Sequence, residues 1–141
     1  QTIRKRYPDV QLVQGNLYQL PFKAGSIHNI LCSSVLEHIY YLEHAVSEIK
    51  RALASSGLLF MTIPMEGGFL WNTGRRFSTQ RNFEKQGMNY KKFISIEHCN
   101  TAQKIIGLLK NHFESVVNSY YPFYIPSINF NLLLNSVYKV S

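Results

Sequence analysis

Apolar residues fall into two kinds of pattern along the chain. Ile27-His28-Asn29-Ile30-Leu31-Cys32 and Leu58-Leu59-Phe60-Met61-Thr62-Ile63 are short, nearly continuous runs, the second stopped by Pro64. Such runs predict parallel strands covered on both faces. Between them Leu42, Ala45, Val46, Ile49 and Leu53 recur at helical spacing, with Glu43, Glu48, Lys50 and Arg51 opposite. Gly57 stands where a chain leaves a helix. Strand, helix and strand at these lengths predict a right-handed βαβ unit, Gly15 to Gly68, with ligands bound where loops leave the carboxyl ends of its strands.

The flanking segments attach to this unit. Residues 1–8 read as a helix end interrupted by Pro8, which disfavours helical geometry at Tyr7. Val10 to Gln14 alternates imperfectly and reads as a short strand ending at Gly15. Residues 16–26 form a loop punctuated by Pro21 and Gly25. Residues 65–96 lack periodicity and hold scattered glycines among arginines and lysines. This predicts an insertion or lid, with short helices around Phe77–Glu84 and Tyr90–Ile94. Asn100-Thr101-Ala102-Gln103 resembles a capped helix start, and Ile105, Ile106, Leu109 and Phe113 then share a face. Ser115 to Phe123 and Ile128 to Val140 predict a final antiparallel strand pair, although the second also fits a helix.

A length of 141 residues with 45% hydrophobic content suits one domain with a real core. No apolar run reaches membrane-spanning length. The two cysteines, Cys32 and Cys99, belong to no CxxC or His/Cys cluster. This argues against a metal site and suits a reducing, cytoplasmic compartment. The formal charge of +7 implies attraction to anions without choosing among nucleic acid, lipid and phosphorylated small molecules. No RNA-binding aromatic signature accompanies it.

Five segments in order carry a resemblance: Gly15-Asn16-Leu17-Tyr18-Gln19-Leu20-Pro21-Phe22, Ser26-Ile27-His28-Asn29-Ile30, Val35-Leu36-Glu37-His38-Ile39, Glu48-Ile49-Lys50-Arg51-Ala52-Leu53 and Gly57 to Pro64. Together they resemble the second half of a class I S-adenosylmethionine-dependent methyltransferase, most closely from Val10 to Pro64. The resemblance implies an α/β fold: a Rossmann-like sheet, mostly parallel, with an antiparallel C-terminal strand pair. The expected architecture is a single partial domain over 1–141, lacking the N-terminal strands and the Gly-rich cofactor loop, with the lid at 65–96. Three positions depart from the usual pattern. Asn16 replaces the customary aspartate of the turn, Asn29 replaces the acidic residue common in the strand, and Ser55-Ser56-Gly57 replaces Pro-Gly-Gly.

The resemblance further implies S-adenosyl-L-methionine as cofactor, with Asn16 and Leu17 beside its adenine, Ser33 and Ser34 beside its methionine amine, and Glu37 and His38 at the cofactor mouth. His38 is the candidate catalytic base. Plainer roles stand beside these: an Asx turn for Asn16, helix capping for the serines, helix-terminus complementation for Glu37 and a structural histidine for His38. Trp71, Arg75, Arg76, Arg81 and Tyr90 are the candidate acceptor and lid residues. The arginines suit an anionic small-molecule or glycan-type acceptor, or else form a solvated basic face. Glu97-His98 is either a cap or a polar pocket wall. Three functions are therefore weighed: a methyltransferase, a non-catalytic methyltransferase-like binding module, and a basic RNA-contacting domain. The exposed sheet edge left by the absent strands predicts self-association.

Overall fold

The computed structural model describes residues 5–76 and 97–141, and between them residues 83, 85, 87, 89, 90 and 94. The elements, in order, are β1 (Ile27–Ser33), a 3-10 turn (Leu36–His38), α1 (Leu42–Ala52), β2 (Leu53–Pro64), α2 (Phe69–Arg75), α3 (Ala102–His112), β3 (Phe113–Tyr121) and β4 (Leu133–Val140). The four strands form one mixed sheet in the order β1-β2-β4-β3. β1 and β2 are parallel, and β4 runs antiparallel to both β2 and β3. The late strands are thus an antiparallel pair, and β4 is inserted between β2 and β3. The helical alternative for that segment falls, and its strand begins at Leu133 instead of Ile128.

Alternation along β2 shows where the core lies. Leu59, Met61 and Ile63 are buried, while Leu58, Phe60 and Thr62 on the other face are only half-buried. The buried set packs against Leu42, Val46 and Ile49 of α1, Ile105 and Leu109 of α3, and Leu134 and Tyr138 of β4. Each such side chain contributes roughly 1.5–3 kcal/mol of burial free energy. Both helices of this core lie on one face. The expectation that β1 and β2 would be covered on both faces is therefore corrected: Leu31 of β1 is 76% exposed.

Two further expectations change. Residues 10–15 form no strand, and Val10, Leu12 and Val13 are exposed; alternation alone cannot make a strand without a neighbour to pair with. α1 ends at Ala52, where Leu53 turns extended (φ −71°, ψ 135°), so Gly57 lies inside β2 instead of at a helix end. A Cβ at Gly57 would come within 2.8 Å of the His28 carbonyl oxygen and 2.9 Å of that of Ala54. The glycine thus permits a close approach beside the register irregularity between Ile27 and Asn29.

The helix α2 lies within the stretch read as irregular. The short helices expected at Phe77–Glu84 and Tyr90–Ile94 fall largely outside the described residues. No helix among the described residues is long and apolar enough to cross a membrane.

Candidate functional site

The site lies at the carboxyl ends of β1 and β2. β1 stops at Ser33, and Ser34 takes a positive φ of 51° with its N–H donating to the Thr62 carbonyl (3.0 Å). The turn carrying Glu37 and His38 follows at once. Neither serine caps it: Val35 holds the N-cap position, without a side-chain hydrogen bond. The turn is fixed from the far end of the chain by Asn100. Its buried amide donates to the carbonyls of Leu36 (2.9 Å) and Ile39 (2.6 Å), and its backbone N–H to that of Glu37 (3.2 Å). Lys104 Nζ completes the arrangement on Asn100 Oδ1 (2.7 Å).

The loop before β1 is held by α1. Glu48 accepts from the Leu20 N–H (2.7 Å), and Arg51 donates to the carbonyls of Leu20 and Phe22 as well as to Glu48. Asn16 Oδ1 accepts from the Tyr18 N–H (2.9 Å), an Asx turn. Leu17, with Leu20, Phe22, Ile30, Cys32 and Val35, lines an apolar cavity of about 330 Å³ beside β1.

The other half of the site is a polar cluster. His38 Nδ1 lies 2.6 Å from the Glu97 carbonyl oxygen. A carbonyl has no proton to give, so Nδ1 carries it, and in the neutral ring Nε2 keeps its lone pair. That Nε2 lies 3.8 Å from Glu37 Oε1, whose side chain is 3% exposed. The His38 and His98 rings meet edge-to-face at 4.5 Å. Glu66, the second residue after β2, joins the cluster through Oε1, 3.1 Å from Arg75 Nη1 and 2.5 Å from His98 Nδ1. His98 Nδ1 is buried and makes no hydrogen bond among the described residues, so the latter is a polar contact only. Arg75 also donates to Tyr90 Oη (2.6 Å) and stacks between the rings of Trp71 and Tyr90.

Burial raises the carboxyl pKa of Glu37 above its ordinary value and outweighs the lowering pull of His38 and His98. Burial likewise raises Glu66, against the pull of Arg75. His98 is pushed below its usual value by burial first and by His38 and Arg75 next. The Cys32 thiol is pushed up to about 11 by burial and the nearby Glu37 carboxylate.

The structure therefore brings Glu37, His38, Trp71, Arg75 and Tyr90 together, and leaves Asn16, Leu17, Ser33 and Ser34 along the β1 side. Arg76 is apart, lining an open cavity with Phe69, Asn72 and Thr73. Arg81 lies outside the described residues. Glu66 and Asn100 join the site without a motif in the sequence that marks them. The one available signal for Glu66 was a charge immediately after an apolar strand. Its position is set by the β3–β4 loop, where Met65 N–H donates to Leu132, Leu70 N–H donates to Asn129, and a Cβ at Gly68 would strike the Ile128 carbonyl.

Residues 1–61 match the profile of a methyltransferase domain family. A probable S-adenosylmethionine-dependent methyltransferase of Mycobacterium tuberculosis is 37% identical over 62 residues, which cover 44% of this chain and 23% of that protein. The crystal structure of an S-adenosylmethionine-dependent methyltransferase of Thermotoga maritima, a possible histamine N-methyltransferase, superposes with a TM-score of 0.66 at 20% identity, covering 96% of this chain and 67% of that one. Over its first 61 residues the chain resembles S-adenosylmethionine-dependent methyltransferases, and the rest shares their fold. The same fold is seen in the N-methyltransferase NodS of Bradyrhizobium japonicum, solved with S-adenosylhomocysteine (TM-score 0.60, 15% identity, covering 99% of this chain and 58% of that one). The chain's match spans less than a quarter of the curated relative's length.

Proposed function

We propose that this domain takes part in methyl transfer from S-adenosylmethionine to a small-molecule or glycan-type acceptor held at the carboxyl ends of β1 and β2, with His38 as the general base. The observation that carries the reading is the Nδ1–H bond to Glu97, which leaves Nε2 as the proton-accepting atom on a side chain 40% exposed. Glu37 lies behind it as the counter-charge for an imidazolium.

The described residues fit one side of the cofactor. The Leu17-lined cavity has the apolar character and size for an adenine ring, with Asn16 at its rim. Ser33 and Ser34, exposed at the carboxyl end of β1, are assigned to the methionine amine. The cofactor supplies a methyl group already activated on a sulfonium. The protein's own part is to orient the acceptor, exclude water and take a proton from it. Trp71 and Tyr90, which clamp Arg75, are assigned to the acceptor side of the site. Two free cysteines fit a cytoplasmic setting.

Calorimetric titration with S-adenosylmethionine tests the cofactor half. Saturable but weak binding, with Kd roughly 0.1–1 mM, is expected from one wall of a site. The absence of any saturable heat would overturn the reading, and micromolar binding would overturn the one-wall description. For the base, replacing His38 with Gln is expected to lower methyl transfer about 10²–10⁴-fold while leaving cofactor affinity unchanged.

A further inference from the structure

We infer that the acceptor is an amine that arrives protonated, its ammonium group docking on His38 Nε2 with the Glu37 carboxylate as counter-charge. The proton and methyl steps after docking rest on the methyl-transfer reading, whereas docking itself rests on the charges of the cluster alone.

Glu66 has its cation, since Arg75 lies 3.1 Å away. Glu37 has none among the described residues: its nearest candidate is His38 Nε2 at 3.8 Å, with its Nδ1 already committed to Glu97. His98 does not make up the difference: its Nδ1 lies against Glu66 and not Glu37, and burial, followed by His38 and Arg75, lowers its pKa. The cluster therefore has one carboxylate in excess. A buried carboxylate without a partner is unfavourable until a proton or a cation reaches it. Arg75, held by Glu66, Tyr90 and Trp71, is not free to receive an anion.

The sign of this charge separates acceptor classes. A hydroxyl acceptor develops negative charge on oxygen as its proton leaves, beside the Glu37 carboxylate. A carboxylate or phosphate meets the same repulsion from the outset. An ammonium group supplies the missing positive charge. One ammonium N–H proton passes to His38 Nε2, and its bonding pair stays on nitrogen as a lone pair. That pair forms the new nitrogen–carbon bond to the methyl group, while the carbon–sulfur pair leaves with sulfur. The imidazolium, on a side chain 40% exposed, returns its proton to water.

The test uses the intact chain with isotope-labelled histidine and no cofactor. The His38 ring signals are followed by NMR during separate titrations with phenethylammonium, 2-phenylethanol and 3-phenylpropanoate near neutral pH. The expected result is that the ammonium compound binds at least about tenfold more tightly than the alcohol, with the carboxylate weakest. Replacing Glu37 with Gln should erase that preference while leaving the alcohol's affinity within about twofold. Equal binding of amine and alcohol, tighter binding of the carboxylate, or no response to any of the three overturns the inference. The comparison on the unsubstituted chain decides even if the Glu37→Gln protein does not fold. Because no cofactor is present, absence of the amine preference on the unsubstituted chain together with saturable S-adenosylmethionine binding sinks this inference alone, and an amine preference without any saturable S-adenosylmethionine binding sinks the methyl-transfer reading alone.

Discussion

Asn100 is 2% exposed and, besides a 3.5 Å contact to Cys99 Sγ, bonds to the turn that carries Glu37 and His38 and to Lys104. Replacing it with Ala removes the side-chain donor to the Ile39 carbonyl and one of the two donors to that of Leu36, which keeps the Ile39 N–H. The expected loss is about 2–3 kcal/mol of stability, read as a lower urea midpoint with unchanged slope; a loss under about 0.5 kcal/mol would show that water reaches the turn. His98 gives a pH-dependent counterpart. Its folded pKa lies below the ordinary 6.5, so the fold binds fewer protons than the unfolded chain just below that pH. Its contribution is fully present above pH 6.5 and is lost as the pH falls towards the folded value. Glu37 and Glu66 act oppositely: raised above 4.5, they favour the fold at low pH, and that advantage is lost as the pH rises through their folded values. Replacing His98 with Asn should therefore flatten the stability loss measured between pH 7.5 and 5.5. A slope unchanged by that substitution would refute the assignment.

The elements were legible in the sequence to very different degrees. The core face of α1 and the late strand pair followed from periodicity and composition, because burial on one side writes itself into spacing. Gly57 did not, since a helix end and a close strand approach both call for glycine and only the Leu53 backbone tells them apart. Glu66 was harder still. Its role depends on Arg75 and His98, and no local pattern links positions so distant in sequence. The Glu48–Arg51 pair was legible as part of a family pattern; the structure supplies the physical reason, the carbonyls of Leu20 and Phe22. Replacing Gly57 with Ala tests the element boundary. A methyl group there must displace two backbone carbonyls, at a cost of about 1–3 kcal/mol. At a simple helix end the change would be near neutral or would act through φ, yet Gly57 is absent from the positive-φ glycines.

At the scale of the whole molecule the sheet is asymmetric. β1 pairs only with β2, and its other edge has no partner among the described residues. Leu31 on that strand, with Phe60, Val117 and Val137, lines a shallow cavity of about 290 Å³ on the sheet face away from α1 and α3. An open edge beside an apolar face is a template for another copy. Against this stands a formal charge of +7, which keeps copies apart at low ionic strength. The two effects respond differently to salt: screening shortens the repulsion to about 8 Å at physiological ionic strength and leaves apolar contact intact. Self-association should therefore increase with added salt, and Leu31→Lys, which places a charge on the open face, should suppress it. Light scattering across a salt series checks both. Dissociation on adding salt would mean that the copies are held by charge pairs, and a monomer at every salt concentration would mean that the open edge is not sticky.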